Sequence, residues 1–102
     1  MKKQLEPSFL PEFKEPMLAG RKTATSRTKR LGRVGQKFKA FGAVFEFTAI
    51  QRMPLRWVRD IYWADEGVAS PAAFVEVYGR IHPRRGFIET DKVWIHFFRK
   101  VS

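Results

Sequence analysis

An α+β fold built on a small, mostly antiparallel barrel is the class this sequence predicts, and three observations lead to it. Two neighbouring segments, 37–41 (KFKAF) and 44–53 (VFEFTAIQRM), alternate apolar and polar residues around Gly42, which is the period of paired strands. Two stretches with helical spacing follow, and then a final run, 92–101 (KVWIHFFRKV), with large apolar side chains on both faces. No strand-helix-strand unit repeats, which argues against a layered parallel sheet.

Each element has its own justification. Residues 1–8 read as a tail or a short leading strand. Residues 12–19 (EFKEPMLA) predict a short helix ended by Gly20, with Phe13, Met17 and Phe9 turned inward and Pro16 limiting its regularity. Residues 23–28 are β-branched and small enough for a strand, and 29–35 form a cationic loop containing glycine. After Pro54, Leu55, Val58, Ile61 and Tyr62 fall at helical spacing, with Glu66-Gly67 closing the helix. Ser70-Pro71 is a strong helix start, serine as N-cap and proline at the first position. Phe74, Val77, Tyr78 and Ile81 make the buried stripe of that helix, and Pro83 stops it. In the last strand Val93, Ile95 and Phe97 share one face and Trp94, His96 and Phe98 the other. Burial on both sides suits a curled sheet closed by helices.

Composition bounds the function. A chain of 102 residues fits one domain, 1–102, and 44% hydrophobic residues supply a core. The absence of cysteine excludes disulfides, thiolate zinc sites and cysteine nucleophiles, and two histidines are too few for a metal site. No cofactor is expected. No apolar run approaches the roughly 20 residues that span a bilayer, and the opening MKKQLEP lacks an apolar signal core. The expectation is a cytoplasmic protein with no membrane partner, and a monomer is favoured. Lysine and arginine number 20 against 10 acids, for a net charge of +10. Between Glu15 and Glu46 there is no acid, while Arg21, Lys22, Arg27, Lys29, Arg30, Arg33, Lys37 and Lys39 all fall there. Such a block attracts polyanions, and RNA or a nucleoside or nucleotide ligand is the expected partner.

The densest part of that block is LAGRKTATSRTKR, 18–30. Along a strand Thr23, Thr25 and Arg27 share one face, and Lys22, Ala24 and Ser26 the other. Lys22 therefore meets Thr25 only if it sits in the turn after Gly20 and swings its stem over the strand. A row of hydroxyls backed by a guanidinium suits a base edge, a phosphate or a carbonyl. The plainer alternative is an ordinary edge strand, where threonine is common and lysine blunts aggregation. Elsewhere, IHPRRGF (81–87) places Arg84 and Arg85 where they can contact phosphates, with His82 capping the helix end. Tyr62, Trp63 and Phe87 are the first candidates for walls of a base pocket. His96 is expected to be a satisfied, partly buried histidine.

Three strings in this order, MLAGRKTATSR (17–27), VGQKF (34–38) and EGVASPAAFVEVY (66–78), resemble the ASCH domain family, whose members are similar in fold to the PUA domain, a small β-barrel that binds RNA. The resemblance runs over roughly 13–98; Gln36 stands where the family often has an acid. It implies RNA or nucleoside binding in a basic cleft lined by Lys22, Thr25, Arg27 and Glu66 and rimmed by Lys29, Arg30, Arg33 and Lys39, with Arg21, Thr23, Arg84 and Arg85 as further contacts. A branch of small family members implies an alternative, an amidohydrolase acting on N4-acetylcytidine, whose lysine, threonine and glutamate fall on Lys22, Thr25 and Glu66. In that chemistry neutral Lys22 would activate the Thr25 hydroxyl, and Glu66 would orient Lys22 or relay a proton. The competing structural expectation makes Glu66-Gly67 a helix end, with glycine in the left-handed conformation and Glu66 in solvent or paired with Arg27.

Overall fold

The computed structural model describes residues 4–102, so the first three residues of the leading segment lie outside the described residues. A 3-10 turn, Pro11–Phe13, runs into helix α1, Lys14–Leu18. Pro16 lies in the first turn of α1, where a missing N–H has no partner to lose. Strands β1 (Ala24–Arg27), β2 (Lys37–Ala40) and β3 (Ala43–Pro54) follow. Helices α2 (Leu55–Ile61) and α3 (Pro71–Ile81) then lead to strand β4 (Lys92–Lys100).

The strands form one sheet in the order β1-β4-β3-β2, with every neighbouring pair antiparallel. β2 and β3 are joined by Phe41 (φ 53) and Gly42 (φ 77), the two positive φ values that match a tight turn to the twist of its strands. A bulge between Phe47 and Ala49 bends β3 where it pairs with β4. It also switches the side-chain parity: Phe45, Phe47 and Ile50 face one core cluster and Met53 the other. β4 serves both clusters, Phe98 joining the first and Val93 and Ile95 the second. Aromatic residues on both faces of this strand are thus explained by a sheet with a core on each side.

The first cluster centres on Phe38, fully buried, whose ring lies 4.7 Å from that of Phe47 and 5.3 Å from those of Phe45 and Phe98. The second packs Phe74 and Tyr78 of α3 and Leu55 and Val58 of α2 against Ala24, Val93 and Ile95. The result is a curled antiparallel half-barrel with helices, an α+β fold; β1 and β2 stay unpaired with one another at its two edges. The β2 edge is shielded by the leading segment, where Leu5 bridges Phe38 and its carbonyl accepts from Lys39 N–H at 2.8 Å.

Two sequence expectations change. α2 ends at Ile61 instead of running to Glu66-Gly67, and residues 62–67 continue as turns held by Glu66 N–H to Tyr62 O and Gly67 N–H to Ala64 O. The apolar stripe ran past the helix because Tyr62 still packs on the second cluster from the turn, whereas Ile61 is 60% exposed. On α3, Phe74 and Tyr78 are buried as expected, Val77 is half-buried and Ile81 is exposed. Both Val77 and Ile81 border an open cavity. Ser70 caps α3 as its sequence position implies, accepting from Ala73 N–H at 3.0 Å.

Candidate nucleobase site

β1 is an edge strand, and the chain covers its outer side with the turn that follows α2. The Asp65 carbonyl accepts from both Thr23 N–H and Ala24 N–H, at 2.8 and 2.9 Å. Gly20 (φ 81) turns the chain out of α1, and the N–H groups of Arg21 and Lys22 both return to Pro16 O. Lys22 therefore sits in the turn before β1 and folds its stem over the strand. Its Nζ donates to Ala24 O at 2.7 Å and Glu66 O at 2.8 Å, and lies 3.5 Å from Glu66 Oε1. The Phe13 ring lies beneath it, with Nζ 4.4 Å from the centroid. The other carboxylate oxygen of Glu66, Oε2, accepts from Ser26 Oγ at 2.6 Å.

Lys22 is 2% and Glu66 6% exposed. Burial is the largest influence on each, pushing the lysine pKa down and the glutamate pKa up, and their mutual attraction works against both shifts. A neutral Lys22 amine still has two N–H bonds for the two carbonyls and a lone pair for the carboxyl side. The pair is thus a place where one proton can sit on nitrogen or oxygen without losing either backbone bond.

Thr25 and Arg27 approach from the other face of β1. Arg27 Nε donates to Thr25 Oγ1 at 3.2 Å and its Nη2 to Ser8 O at 2.6 Å, with the guanidinium 4.8 Å from the Phe9 ring centroid. Thr25 pairs across the sheet with His96, which is fully buried. Leu31 N–H donates to His96 Nε2 at 2.9 Å, so that nitrogen is bare; Nδ1 carries the proton and donates to Thr25 O at 3.2 Å. Burial lowers the His96 pKa and keeps this neutral form. His96 thereby ties the cationic loop to β1.

These groups converge on a cavity of about 440 Å³ between the edge of β1, the 3-10 turn and α3. Lys22, Thr25, Ser26, Arg27, Lys29 and Glu66 are among its polar lining, which Thr28 and His82 extend, and Phe9, Leu10, Phe13, Phe74, Val77 and Tyr78 are among its apolar lining. The volume lies within the usual range for small-ligand pockets.

No protein-family model matches the chain, and no curated protein does. Solved structures do. An ASCH domain from Lactobacillus crispatus JV V101 is similar with a TM-score of 0.76 at 15% identity, over 93% of this chain and 77% of that one. A mutant of the ASCH protein of Zymomonas mobilis is similar with a TM-score of 0.68 at 18% identity, over 96% of this chain and 70% of its own. A protein of Enterococcus faecalis V583 from the family DUF984 also has a TM-score of 0.68, at 20% identity over 88% and 67% of the two chains. This chain has the ASCH-domain fold.

Within this ASCH fold, five residues expected in the cleft, Lys22, Thr25, Arg27, Lys29 and Glu66, do line one cavity. Thr23 does not; its Oγ1 bonds Asp65 Oδ1 at 3.2 Å and secures the turn. Arg21 is exposed and paired with Glu15. Arg30 donates to Gly32 O at 2.6 Å and lies over Trp94, and neither it nor Arg33 is part of the lining. Lys39 is on β2, at the opposite sheet edge from β1. Arg84 is exposed outside the lining, and Arg85 pairs with Asp91 beside a second, smaller cavity. Glu66 is paired with Lys22 and Ser26, not Arg27, while Gly67 is left-handed (φ 87) as expected. Tyr62, Trp63 and Phe87 pack on the second core cluster, so the aromatic lining comes instead from Phe9, Phe13, Phe74 and Tyr78. Ser26 joins the site through its bond to Glu66, from the face of β1 on which strand alternation places it with Lys22.

Proposed function

We propose that this chain binds a nucleobase, carried by RNA or by a nucleoside, in the cavity at the β1 edge. The observation that supports this is a pocket with apolar and aromatic walls whose polar groups are of both kinds. Arg27 offers the N–H groups not given to Thr25 and Ser8, Glu66 offers an acceptor oriented by Lys22 and Ser26, and the Thr25 hydroxyl offers a donor. A base edge presents the same mixture, and its flat apolar faces suit Phe9 and Phe13. Calorimetric titration with the common ribonucleosides and single-stranded RNA is expected to give saturable binding. Arg27→Met should weaken it about 10- to 100-fold, the worth of a hydrogen bond to a charged group. A folded protein that binds none of these probes would end the proposal.

The amidohydrolase reading has one observation of its own: burial moves Lys22 toward the neutral amine while the Thr25 hydroxyl borders the same cavity. Thr25 Oγ1 would attack the acyl carbon of an N4-acylated cytidine, its proton passing to a base, and cytidine would leave with a proton before water releases the acyl group. Lys22 Nζ, however, is bonded to Ala24 O and Glu66, and Thr25 Oγ1 accepts from Arg27. Binding is therefore the better-supported function. Incubating N4-acetylcytidine with excess protein tests the alternative: cytidine released by the natural chain and not by Thr25→Ala would establish it, and no release would remove it.

A further inference from the structure

A second cavity, of about 230 Å³, adjoins the first. Thr28, Tyr78 and His82 border both, so the two are compartments of one groove running along the C-terminal part of α3. Their linings differ in kind. The larger compartment is mostly apolar with a hydrogen-bonding floor, whereas the smaller is bordered by Arg85, Lys92, Asp91 and His82. Two permanent cations against one acid leave it net positive.

We propose that the smaller compartment is a phosphate subsite, so that the ligand of this groove is a phosphorylated nucleotide or an RNA strand in preference to a free nucleoside. This rests on the base-binding reading of the larger compartment.

The side chains fit an anion of that size. Arg85 Nε and Nη2 grip Asp91 Oδ2 and Oδ1 at 2.6 and 2.7 Å. That fork fixes the guanidinium and leaves three of its five N–H bonds for another oxygen. Lys92 is exposed and forms no ion pair among the described residues. His82 lies against Tyr78 with ring centroids 4.3 Å apart and the rings tilted by 30°, and Thr28 borders both compartments. Asp91 has two effects: it repels an anion, and it orients Arg85. Its carboxylate is already engaged by Arg85, which leaves Lys92 as the unneutralised charge. In a nucleotide one ribose separates base from phosphate, and the strip formed by Thr28, Tyr78 and His82 is where that sugar would lie.

The test compares ribonucleosides, their 5′- and 3′-monophosphates and single-stranded RNA homopolymers on the natural chain, Lys92→Gln and Arg85→Gln. The expected result is a monophosphate that binds at least about tenfold more tightly than its nucleoside, the gain of a charge-assisted contact. Each variant should lose most of that gain and leave nucleoside affinity unchanged. A gain confined to free monophosphates identifies a mononucleotide ligand. A gain shared by RNA, with a salt dependence whose slope falls by about one in Lys92→Gln, identifies a strand. Nucleosides that bind as tightly as every phosphorylated probe would overturn the subsite and leave the base site standing. If neither nucleosides nor phosphorylated probes bind, both proposals fall.

Discussion

Lys22→Met and Glu66→Leu should each destabilise the protein by about 3 to 5 kcal/mol, because either change strands the remaining member of a buried pair. The double variant should cost clearly less than the sum of the two, with a coupling of up to about 3 kcal/mol. Some loss remains in the double variant, since Ala24 O and Glu66 O both give up the Lys22 ammonium or amine that serves them. Denaturant unfolding of the four proteins measures the cycle, and additive single losses would show that the two groups do not act as a pair. The acid-base behaviour carries its own sign. In Glu66→Leu the carboxylate that raises the Lys22 pKa is gone, leaving burial to depress it below the ordinary 10.5. The unfolded chain then holds the Lys22 proton at pH values where the folded chain has released it. Stability should therefore rise with pH between the depressed folded value and 10.5, and fall as pH drops through that window. A double variant that regains stability yet binds no base would mean the pair serves the ligand more than the fold.

Gly67→Ala should be nearly as damaging, at about 2 to 4 kcal/mol. Gly67 has φ 87, a left-handed conformation that costs an L-residue about 1 to 2 kcal/mol. Its missing side chain also matters: a Cβ there would stand 2.7 Å from Lys22 Cβ and 3.1 Å from Cγ. Those atoms are the root of the side chain, so they yield only if the backbone of the turn moves, an overpacking cost of about 1 to 3 kcal/mol. The displaced Lys22 would pull Nζ from its two carbonyls, and ligand affinity should fall with stability. Thermal unfolding checks the first effect and titration the second; a Gly67→Ala protein with the natural melting temperature would show that the turn has slack.

Much of this architecture is legible in the sequence because it is written in short-range periods. Alternation over 37–41 and 44–53 marks the hairpin, Ser70-Pro71 marks the start of α3, and the two-faced run at 92–101 marks the strand shared by both clusters. Periodicity is weaker at ends, and α2 stops before its apolar pattern does because Tyr62 packs from a turn. At the site, Lys22 does occupy the turn after Gly20 with its stem over the strand, but its Nζ is taken up by Ala24 O and Glu66 and makes no hydrogen bond to Thr25. Position along the chain did not indicate which basic residues would gather. Lys29 reaches the cavity while Lys39, in the same acid-free block, is carried to the other edge of the sheet. Nor does an apolar stripe reveal whether the space it faces is filled: Phe13 and Tyr78 are core residues and also walls of an opening.

Because β1 sits at a sheet edge, its ladder among the described residues is made with β4, and Thr25 and His96 are 71 residues apart in the chain. Closing so long a loop carries an entropic cost that must be met before any contact repays it, so this pairing is expected to form after the local β2-β3 hairpin. During synthesis the β2-β3 hairpin can form from adjacent segments, while β1 must wait for β4 to leave the ribosome. The groups that line the cavity are consequently brought together only once β4 has emerged: a shorter nascent polypeptide displays the positive charge of the basic block without the enclosed cavity beside it.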